Sequence, residues 1–196
     1  MNISAIGATA AVLMTMASGT QAATYAASSI IASETSYGTC TRMNCTANDR
    51  KNSNNALGEA DGAFYAMGFG GQLTVGFDAK SFAPGARVTV NEVTFNGPQP
   101  ANHFEAVDVY SVFGGVATFI DRIVNTTQST TLLVAQGFEY IRLIDVTRAE
   151  FPRTTSFDGF DVESISIAAV PVPAAGFMLM AGLGGLAAFG RRRKKA

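Results

Sequence analysis

The chain has 196 residues, of which 47% are hydrophobic and 15% are charged, and it contains two cysteines, one histidine and no tryptophan. Its net charge is −1, but five of its 14 cations lie together at residues 191–195, and all 15 acids lie between Glu34 and Glu163. The part before the cationic run therefore carries 15 acids against nine cations, a net charge of −6. This balance excludes the basic surface that nucleic-acid binding requires.

The first 22 residues are predicted to be a signal peptide. Residues 3–17 are apolar or small, and Thr20-Gln21-Ala22 places small residues three and one before a cut, close to the A-x-A pattern. No Lys or Arg precedes the apolar run, and a disordered Ala-rich N-terminus is the alternative. The apolar segment and the run of cations at the C-terminal end favour an exported chain, so we predict a signal helix over 1–22 that is removed after Ala22.

Residues 23–55 are predicted to be a polar N-terminal segment that contains both cysteines. Cys40 and Cys45 are separated by four residues, and no His or further Cys lies nearby to complete a zinc site. In an oxidising compartment we expect a local disulfide between them, with two unpaired thiols as the alternative. A loop this short would add only about 2 kcal/mol to the free energy of unfolding.

Short β-rich runs separated by turn residues recur from residue 56 to residue 169. They cover residues 63–67, 72–77, 87–95, 106–113, 116–124, 130–135, 138–146 and 161–169. Within the run 87–95 the alternation of apolar residues changes phase at Asn91-Glu92, which predicts a β-bulge. Eight short strands without crossover helices predict an all-β fold, an antiparallel two-sheet jelly-roll-like sandwich over residues 56–169.

Four motifs in this region, the first of them in two parts, resemble those of galactose-binding-like, discoidin-type jelly rolls. ALGEADG at 56–62 and MGFGGQLTV at 67–75 are similar to the family's opening loop and strand pair, although Glu59-Ala60 stands where Pro is frequent. EAVDVYSV at 105–112 resembles its Val-x-Val strand, and YIRLID at 140–145 resembles its Tyr-Val-Arg-Ile-x-Asp strand. DGFDVE at 158–163 resembles its closing motif, with Glu163 where Asp is usual. The resemblance implies a jelly-roll fold.

Acidic residues in the first loop and at the entry to the last strand are the candidate metal ligands. In sandwiches of this type the first and last strands lie near each other, so these carboxylates could converge. Ca²⁺ takes six to eight oxygen ligands and tolerates irregular loops, which makes a structural Ca²⁺ site a hypothesis. Ordinary turn acids are the alternative, because Asp-Gly favours turns. The candidate ligands are Glu59, Asp61, Asp158, Asp161 and Glu163.

Residues typical of catalysis are scarce. The one histidine, His103, lies in a predicted loop, where we expect it to be solvated. No G-x-S-x-G elbow occurs, and the glycine cluster at 68–71 precedes a strand rather than the helix that a phosphate loop requires. We therefore predict no catalytic residues and no enzyme activity.

The C-terminal residues 170–196 combine a proline motif, an apolar segment and a basic end. A helix from about residue 174 to 191 would be a single transmembrane helix at the short end of the spanning range and a marginal anchor, and the cations after it should stay in the cytoplasm. The motif residues are Val170, Pro171, Val172, Pro173 and Ala174. The basic end comprises Arg191, Arg192, Arg193, Lys194 and Lys195.

This order of elements resembles the PEP-CTERM class of bacterial sorting signals, and in particular its Val-Pro-Leu-Pro-Ala (VPLPA) variant, with Val172 in place of Leu. The resemblance implies an exosortase, a membrane transpeptidase-like enzyme, as partner, with removal of the tail after transient residence in the inner membrane. An ordinary single-pass anchor is the alternative.

The resulting functional hypothesis is an exported, non-enzymatic protein of the cell surface or extracellular matrix, with extracellular polysaccharide as a further partner. The alternative is a carbohydrate-binding module that uses loop aromatics. The candidates for that role are Tyr37, Tyr65 and Phe104.

Overall fold

Nine antiparallel strands build the domain in this computed structural model, which describes residues 22–34, 50–94 and 102–170. The strands are β1 (Thr24–Glu34), β2 (Tyr65–Ala66), β3 (Gln72–Phe77), β4 (Arg87–Glu92), β5 (Ala106–Phe113), β6 (Val116–Val124), β7 (Ser129–Leu133), β8 (Tyr140–Asp145) and β9 (Asp161–Ala168). A 3₁₀ turn at Ser53–Ala56 and a single helical turn, α1 (Thr147–Glu150), are the helical elements of the described residues. These residues fall in one compact unit.

The strands form two sheets that share β1. One sheet has the order β6-β5-β8-β3-β1, and the other has the order β1-β9-β4-β7, with β2 paired to β9. Residues 24–26 of β1 pair with β9, whereas residues 27–34 pair with β3. Most chain connections after β3 cross from one sheet to the other, as is typical of Greek-key and jelly-roll sandwiches. The predicted all-β antiparallel sandwich is therefore confirmed.

The core lies between the two sheets, and period-2 alternation places its side chains there. Each central strand contributes two or three buried apolar residues from one face, which is why the predicted strands match the observed ones within a few residues. The pairs are Leu73 and Val75, Val88 and Val90, Val107 and Val109, Ile141 and Leu143, and Ile165 and Ile167. The predicted change of phase in β4 is wrong, because Glu92 and Thr94 continue the buried face of Val88 and Val90. The pairing of β4 with β9 does shift register between Asn91 and Glu92, but the extra residue, Glu163, lies on β9.

Strand β1 was not predicted, and it lies inside the segment 23–55 that we expected to precede the sandwich. Its sequence TYAASSIIASE is rich in Ala and Ser, and of its residues only Ala27 is buried. Backbone pairing with β3 and β9 incorporates it into the sheets, and only Tyr25, Ala27 and Ile30 contact the core. The sandwich therefore begins at Thr24 and not at residue 56.

Several predictions concern residues outside the described part of the chain. They are the signal helix over 1–22, the Cys40–Cys45 disulfide, the transmembrane helix and the basic end. Among the residues that the structure does describe, no helix is both long and apolar enough to cross a membrane.

Candidate functional site

Four strand ends meet at one end of the sandwich, and each brings a buried acid with it. Glu92 ends β4, Glu105 immediately precedes β5, Asp145 ends β8 and Asp161 begins β9. Asp158 lies in the loop before β9. None of the five residues is more than 3% exposed. Because acids are rarely buried without partners, this end of the sandwich is the first place to look for a function.

Three of these residues form a tight group, which we call the acid cluster: Glu105, Asp158 and Asp161. Each contributes one carboxylate oxygen, and the three oxygens lie within 4.8 Å of one another. Among residues 22–34, 50–94 and 102–170, the acid cluster is the one group of three or more acidic, His or Cys side chains that lie closely enough to share a metal ion.

Two cationic or basic side chains contact the acid cluster. The buried Arg50 guanidinium donates from Nη1 to Asp158 Oδ2 at 2.8 Å, and it also lies over the Phe64 ring, 4.8 Å from its centroid. His103 Nε2 lies 3.2 Å from Glu105 Oε1. His103 is half-buried rather than solvated, so our expectation for this loop residue was wrong. The loop that carries it packs against the strand entry instead of extending into water.

Some carboxylate oxygens at this end lack hydrogen-bond donors within the described chain. Asp161 Oδ1 and Glu92 Oε1 are buried and have no partner there. The other Glu92 oxygen accepts from the Thr94 hydroxyl. A buried ionised carboxylate without a donor is strongly destabilising, so the site needs a proton or a cation.

The pKa values shift accordingly. Burial raises the pKa of Glu92 to about 7. Burial, reinforced by the neighbouring acids, raises the pKa of Glu105 and that of Asp161 well above their ordinary values. Burial also raises the pKa of Asp158, although Arg50 opposes the shift, and burial lowers the pKa of His103. All of these shifts disfavour the charged forms, as expected for acids crowded together in a low-dielectric environment.

Asp145 is buried beside the acid cluster but has a different environment. Its Oδ1 accepts from the backbone N–H groups of Gly70 and Thr147, at 3.0 and 3.2 Å. Its Oδ2 accepts from the Thr147 hydroxyl at 2.7 Å and from the Phe160 N–H at 2.9 Å. Four donors from three segments make Asp145 a structural hub that ties β8 to the loops before β3 and β9.

The loop before β9 is fixed by a glycine as well as by Asp145. Gly159 has φ of +73°, and a Cβ there would come within 2.8 Å of the Gly68 carbonyl carbon and 2.9 Å of Asp145 Oδ2. Only glycine fits this left-handed, crowded position. The close approach holds Asp158 and Asp161 on either side of it.

The five predicted ligands therefore separate into two groups. Asp158 and Asp161 lie together in the acid cluster, whereas Glu59 and Asp61 are exposed. Glu163 is half-buried, and its Oε1 accepts from the Gly62 N–H at 2.8 Å, so the first loop does contact the last strand. Asp61 Oδ1 accepts from the Ala63 N–H, as expected of a turn acid.

Glu105 was not among the predicted ligands. In the sequence it is a single acid before a strand, and no neighbouring residue distinguishes it from an acid on the protein surface. The pairing of β5 with β8 places it beside the end of β8, and this pairing could be inferred only from the fold.

One chain of side-chain contacts resembles a catalytic triad: it runs from Thr155 through His103 to Glu105. Thr155 Oγ1 is 3.3 Å from His103 Nδ1, whose ring contacts Glu105 through Nε2. However, the single Thr155 hydroxyl hydrogen is directed to the Asn102 carbonyl at 2.9 Å. Activation needs that hydrogen to point at the base, so this arrangement is a loop hydrogen bond and not an activated nucleophile.

A shallow groove lies on the outer side of the same end of the sandwich. Its volume is about 330 Å³, and Phe104 and Phe151 form its apolar part, with ring centroids 5.3 Å apart. Asn102, Glu150 and Arg153 supply polar groups. Of the other aromatic candidates, Tyr65 is fully buried in the core, and Tyr37 lies outside the described residues.

Comparison with known proteins identifies the C-terminal segment. Residues 169–194 match the PEP-CTERM protein-sorting motif, as the sequence predicted. This match covers the proline motif and most of the basic end. No curated protein matches the chain at a significant level.

Several solved structures resemble the sandwich distantly. A lectin-binding domain of lectinolysin complexed with Lewis b is 14% identical over 79% of this chain and 94% of its own, with a TM-score of 0.42. CBM35 from Cellvibrio japonicus Abf62 is 10% identical over 76% of this chain and 93% of its own, with a TM-score of 0.37. A chain described as reduced XRCC1 bound to the DNA polymerase β catalytic domain is 8% identical over 76% of this chain and all of its own, with a TM-score of 0.45. At these TM-scores the likeness assigns no ligand.

Proposed function

We propose that this protein is an exported, non-enzymatic component of the bacterial cell surface or extracellular matrix, and that an exosortase recognises and removes its tail. The observation that carries the proposal is the PEP-CTERM motif at residues 169–194. The Val-Pro-Val-Pro-Ala sequence at its start favours the VPLPA variant.

The sandwich is arranged so that processing at both ends would leave it whole. Strand β9 ends at Ala168, one residue before the motif begins, and Thr24 pairs with Ala168. The Ala169 N–H donates to the Ala23 carbonyl at 2.9 Å. Ala23 is the first residue after the predicted signal-peptide cut. Removal of both terminal segments would therefore keep all nine strands and their pairing.

The proposal is tested by the mass of the protein from its native host. We expect the surface protein to lack residues 191–196 in the wild-type host, and to retain them when the exosortase gene is deleted. A Pro171→Ala, Pro173→Ala double variant should also retain the tail, whereas Pro152→Ala, a proline in an exposed loop, should be processed normally. Surface protein that keeps the basic end in the wild-type host would contradict the proposal.

Carbohydrate binding is a second candidate, supported by the groove at Phe104 and Phe151. Paired aromatic faces with adjacent polar groups are suited to sugar rings, and the volume of about 330 Å³ lies in the range of small-molecule sites. Affinity electrophoresis in gels that contain the host's exopolysaccharide should retard the wild type and Phe119→Ala, an exposed aromatic outside the groove, but not Phe104→Ala. Equal mobility of all three with and without polysaccharide would dismiss this candidate.

A further inference from the structure

We propose that the acid cluster of Glu105, Asp158 and Asp161 binds one Ca²⁺ ion, which joins the two sheets at this end of the sandwich. This set shares Asp158 and Asp161 with the ligands predicted from the sequence, but Glu105 takes the place of Glu59, Asp61 and Glu163. The proposal does not depend on the sorting of the tail.

The spacing of the three carboxylates suits a single cation. Ca²⁺ binds oxygen at 2.3–2.6 Å, so two oxygens on opposite sides of one ion lie about 5 Å apart, and others lie closer. The three oxygens of the acid cluster all lie within 4.8 Å of one another. No two of them are too far apart to share the ion.

The charge of the site favours such an ion. Within the described part of the chain, five buried acids lie at this end, and the cationic or basic groups seen to contact the acid cluster are Arg50 and the half-buried His103. Arg50 binds Asp158 through Nη1 but does not provide a donor for Asp161 Oδ1, which is buried without a partner in the described chain. Asp161 is 1% exposed and belongs to the cluster, so its unpaired oxygen is the independent sign of a missing ligand.

The donor type selects Ca²⁺ among the common cations. All three ligands are carboxylates, which hard cations prefer, whereas Zn²⁺ sites are built mainly from Cys and His. Ca²⁺ accepts an incomplete set of side chains, because backbone carbonyls and waters fill its remaining positions. Mg²⁺ demands stricter octahedral geometry and is expected to bind more weakly here.

The surrounding groups hold two of the ligands in place, as is usual around metal sites. The fully buried Asn125 accepts from the Glu105 N–H at 2.8 Å and places its Nδ2 3.4 Å from Glu105 Oε2. Arg50 fixes Asp158. The third ligand, Asp161, is fixed through its backbone, because it pairs with Ala66 of β2.

A cation at this point would stabilise the fold, because its ligands belong to separate elements. Glu105 enters β5 in one sheet, while Asp161 begins β9 in the other. The unfolded chain cannot present the three carboxylates together, so Ca²⁺ binds the folded state selectively and raises its stability.

The experiment uses the full chain in mild detergent, first stripped of cations with a chelator. Calorimetric titration should show one Ca²⁺ per chain, with weaker binding of Mg²⁺. Ca²⁺ at a hundred times its dissociation constant should raise the melting temperature by about 5–10 °C over the value in chelator.

Two ligand variants and two control variants locate the site. Asp161→Asn and Glu105→Gln should each abolish Ca²⁺ binding and the increase in melting temperature. Asp61→Asn and Glu163→Gln, which remove carboxylates from the first loop and the last strand, should leave both unchanged. If one ligand variant fails to fold, the other provides the test.

Two results would overturn the proposal. One is an unmodified protein that binds no Ca²⁺ and melts at the same temperature in Ca²⁺ and in chelator, which would mean that protons alone neutralise the acids. The other is Ca²⁺ binding that survives in Asp161→Asn or Glu105→Gln but is lost in Asp61→Asn or Glu163→Gln.

Discussion

Asp145 and the acid cluster lie side by side at the same end of the sandwich, and they solve the burial of negative charge in different ways. Asp145 has four donors from its own chain: two backbone N–H groups donate to Oδ1, and one hydroxyl and one backbone N–H group donate to Oδ2. The acid cluster contains three carboxylates and one ion pair, between Arg50 and Asp158, and Asp161 Oδ1 has no hydrogen-bond partner in the described residues. Burial still raises the pKa of Asp145, although its four donors oppose the shift, whereas a group of buried carboxylates without such donors requires a proton or a cation.

The largest expected effect is the loss of the Asp145 hub. Asp145→Ala removes all four hydrogen bonds and leaves buried donors unpaired, so we expect the free energy of unfolding to fall by about 3–5 kcal/mol. Chemical denaturation should show the same loss in Ca²⁺ and in chelator, because Asp145 is not a proposed ligand. Asp121→Ala, an exposed acid on β6, is the control and should cost less than about 0.5 kcal/mol. A loss that appeared only in Ca²⁺ would make Asp145 part of the ion site.

The second prediction concerns the glycine that separates Asp158 from Asp161. Gly159→Ala should cost about 2–3 kcal/mol, because the added methyl collides with the Gly68 carbonyl and with Asp145 in a backbone conformation that already disfavours side chains. It should also weaken Ca²⁺ binding. Gly114→Ala is the matched control, since Gly114 also has positive φ but nothing lies within 4 Å of its Cβ position. Equal losses for both variants, measured by denaturant titration, would show that crowding at Gly159 is unimportant.

The third prediction is a substitution of a buried acid that stabilises the fold, in contrast to Asp145→Ala, which destabilises it. In chelator, Asp161→Asn should raise the free energy of unfolding by about 1–2 kcal/mol, because a neutral amide replaces an acid that burial and its neighbours disfavour. The amide can also donate to Glu105 or Asp158. Thermal melting in chelator gives the measurement, and a destabilised Asp161→Asn would indicate that Asp161, like Asp145, is already satisfied within the chain.

The smallest effect on stability is expected at the edge strand β6, which contributes no buried charge. Phe119 and Val116 are 51% and 68% exposed, so Phe119→Thr and Val116→Thr should change the free energy of unfolding by less than about 0.5 kcal/mol. Exposed apolar edges favour association, so both variants should lower the tendency of the protein to self-associate. Light scattering at increasing protein concentration checks this, and an unchanged profile would remove the edge as an association site.

Alternation predicted most of the sheet because each predicted strand buries one apolar face. Strands β3, β5 and β6 have the predicted bounds. The change of phase predicted at Asn91-Glu92 does not occur, because the buried acid Glu92, rather than Val93, continues the inward face of β4. Strand β1 could not be found in this way. Its Ala- and Ser-rich sequence presents only Tyr25, Ala27 and Ile30 to the core, without regular alternation. Its position depends on pairing with β3 and β9, which are far away in the sequence.

The candidate site was predictable only in part, for the same reason. Asp158 and Asp161 are close in sequence and next to a strand entry, so local reasoning connected them. Glu105 joins them through the meeting of four strand ends, which depends on the strand order. Burial next to other carboxylates, which disfavours their charged forms, also depends on the folded structure and cannot be inferred from the local sequence.

Ca²⁺ binding to the acid cluster can be tested most directly by anomalous X-ray diffraction from crystals of the surface protein grown with Ca²⁺. We expect one anomalous peak among the residues of the acid cluster, about 2.3–2.6 Å from carboxylate oxygens of Glu105, Asp158 and Asp161. A map without a peak at this position, in which these carboxyl groups hydrogen-bond directly to one another, would rule out the Ca²⁺ site.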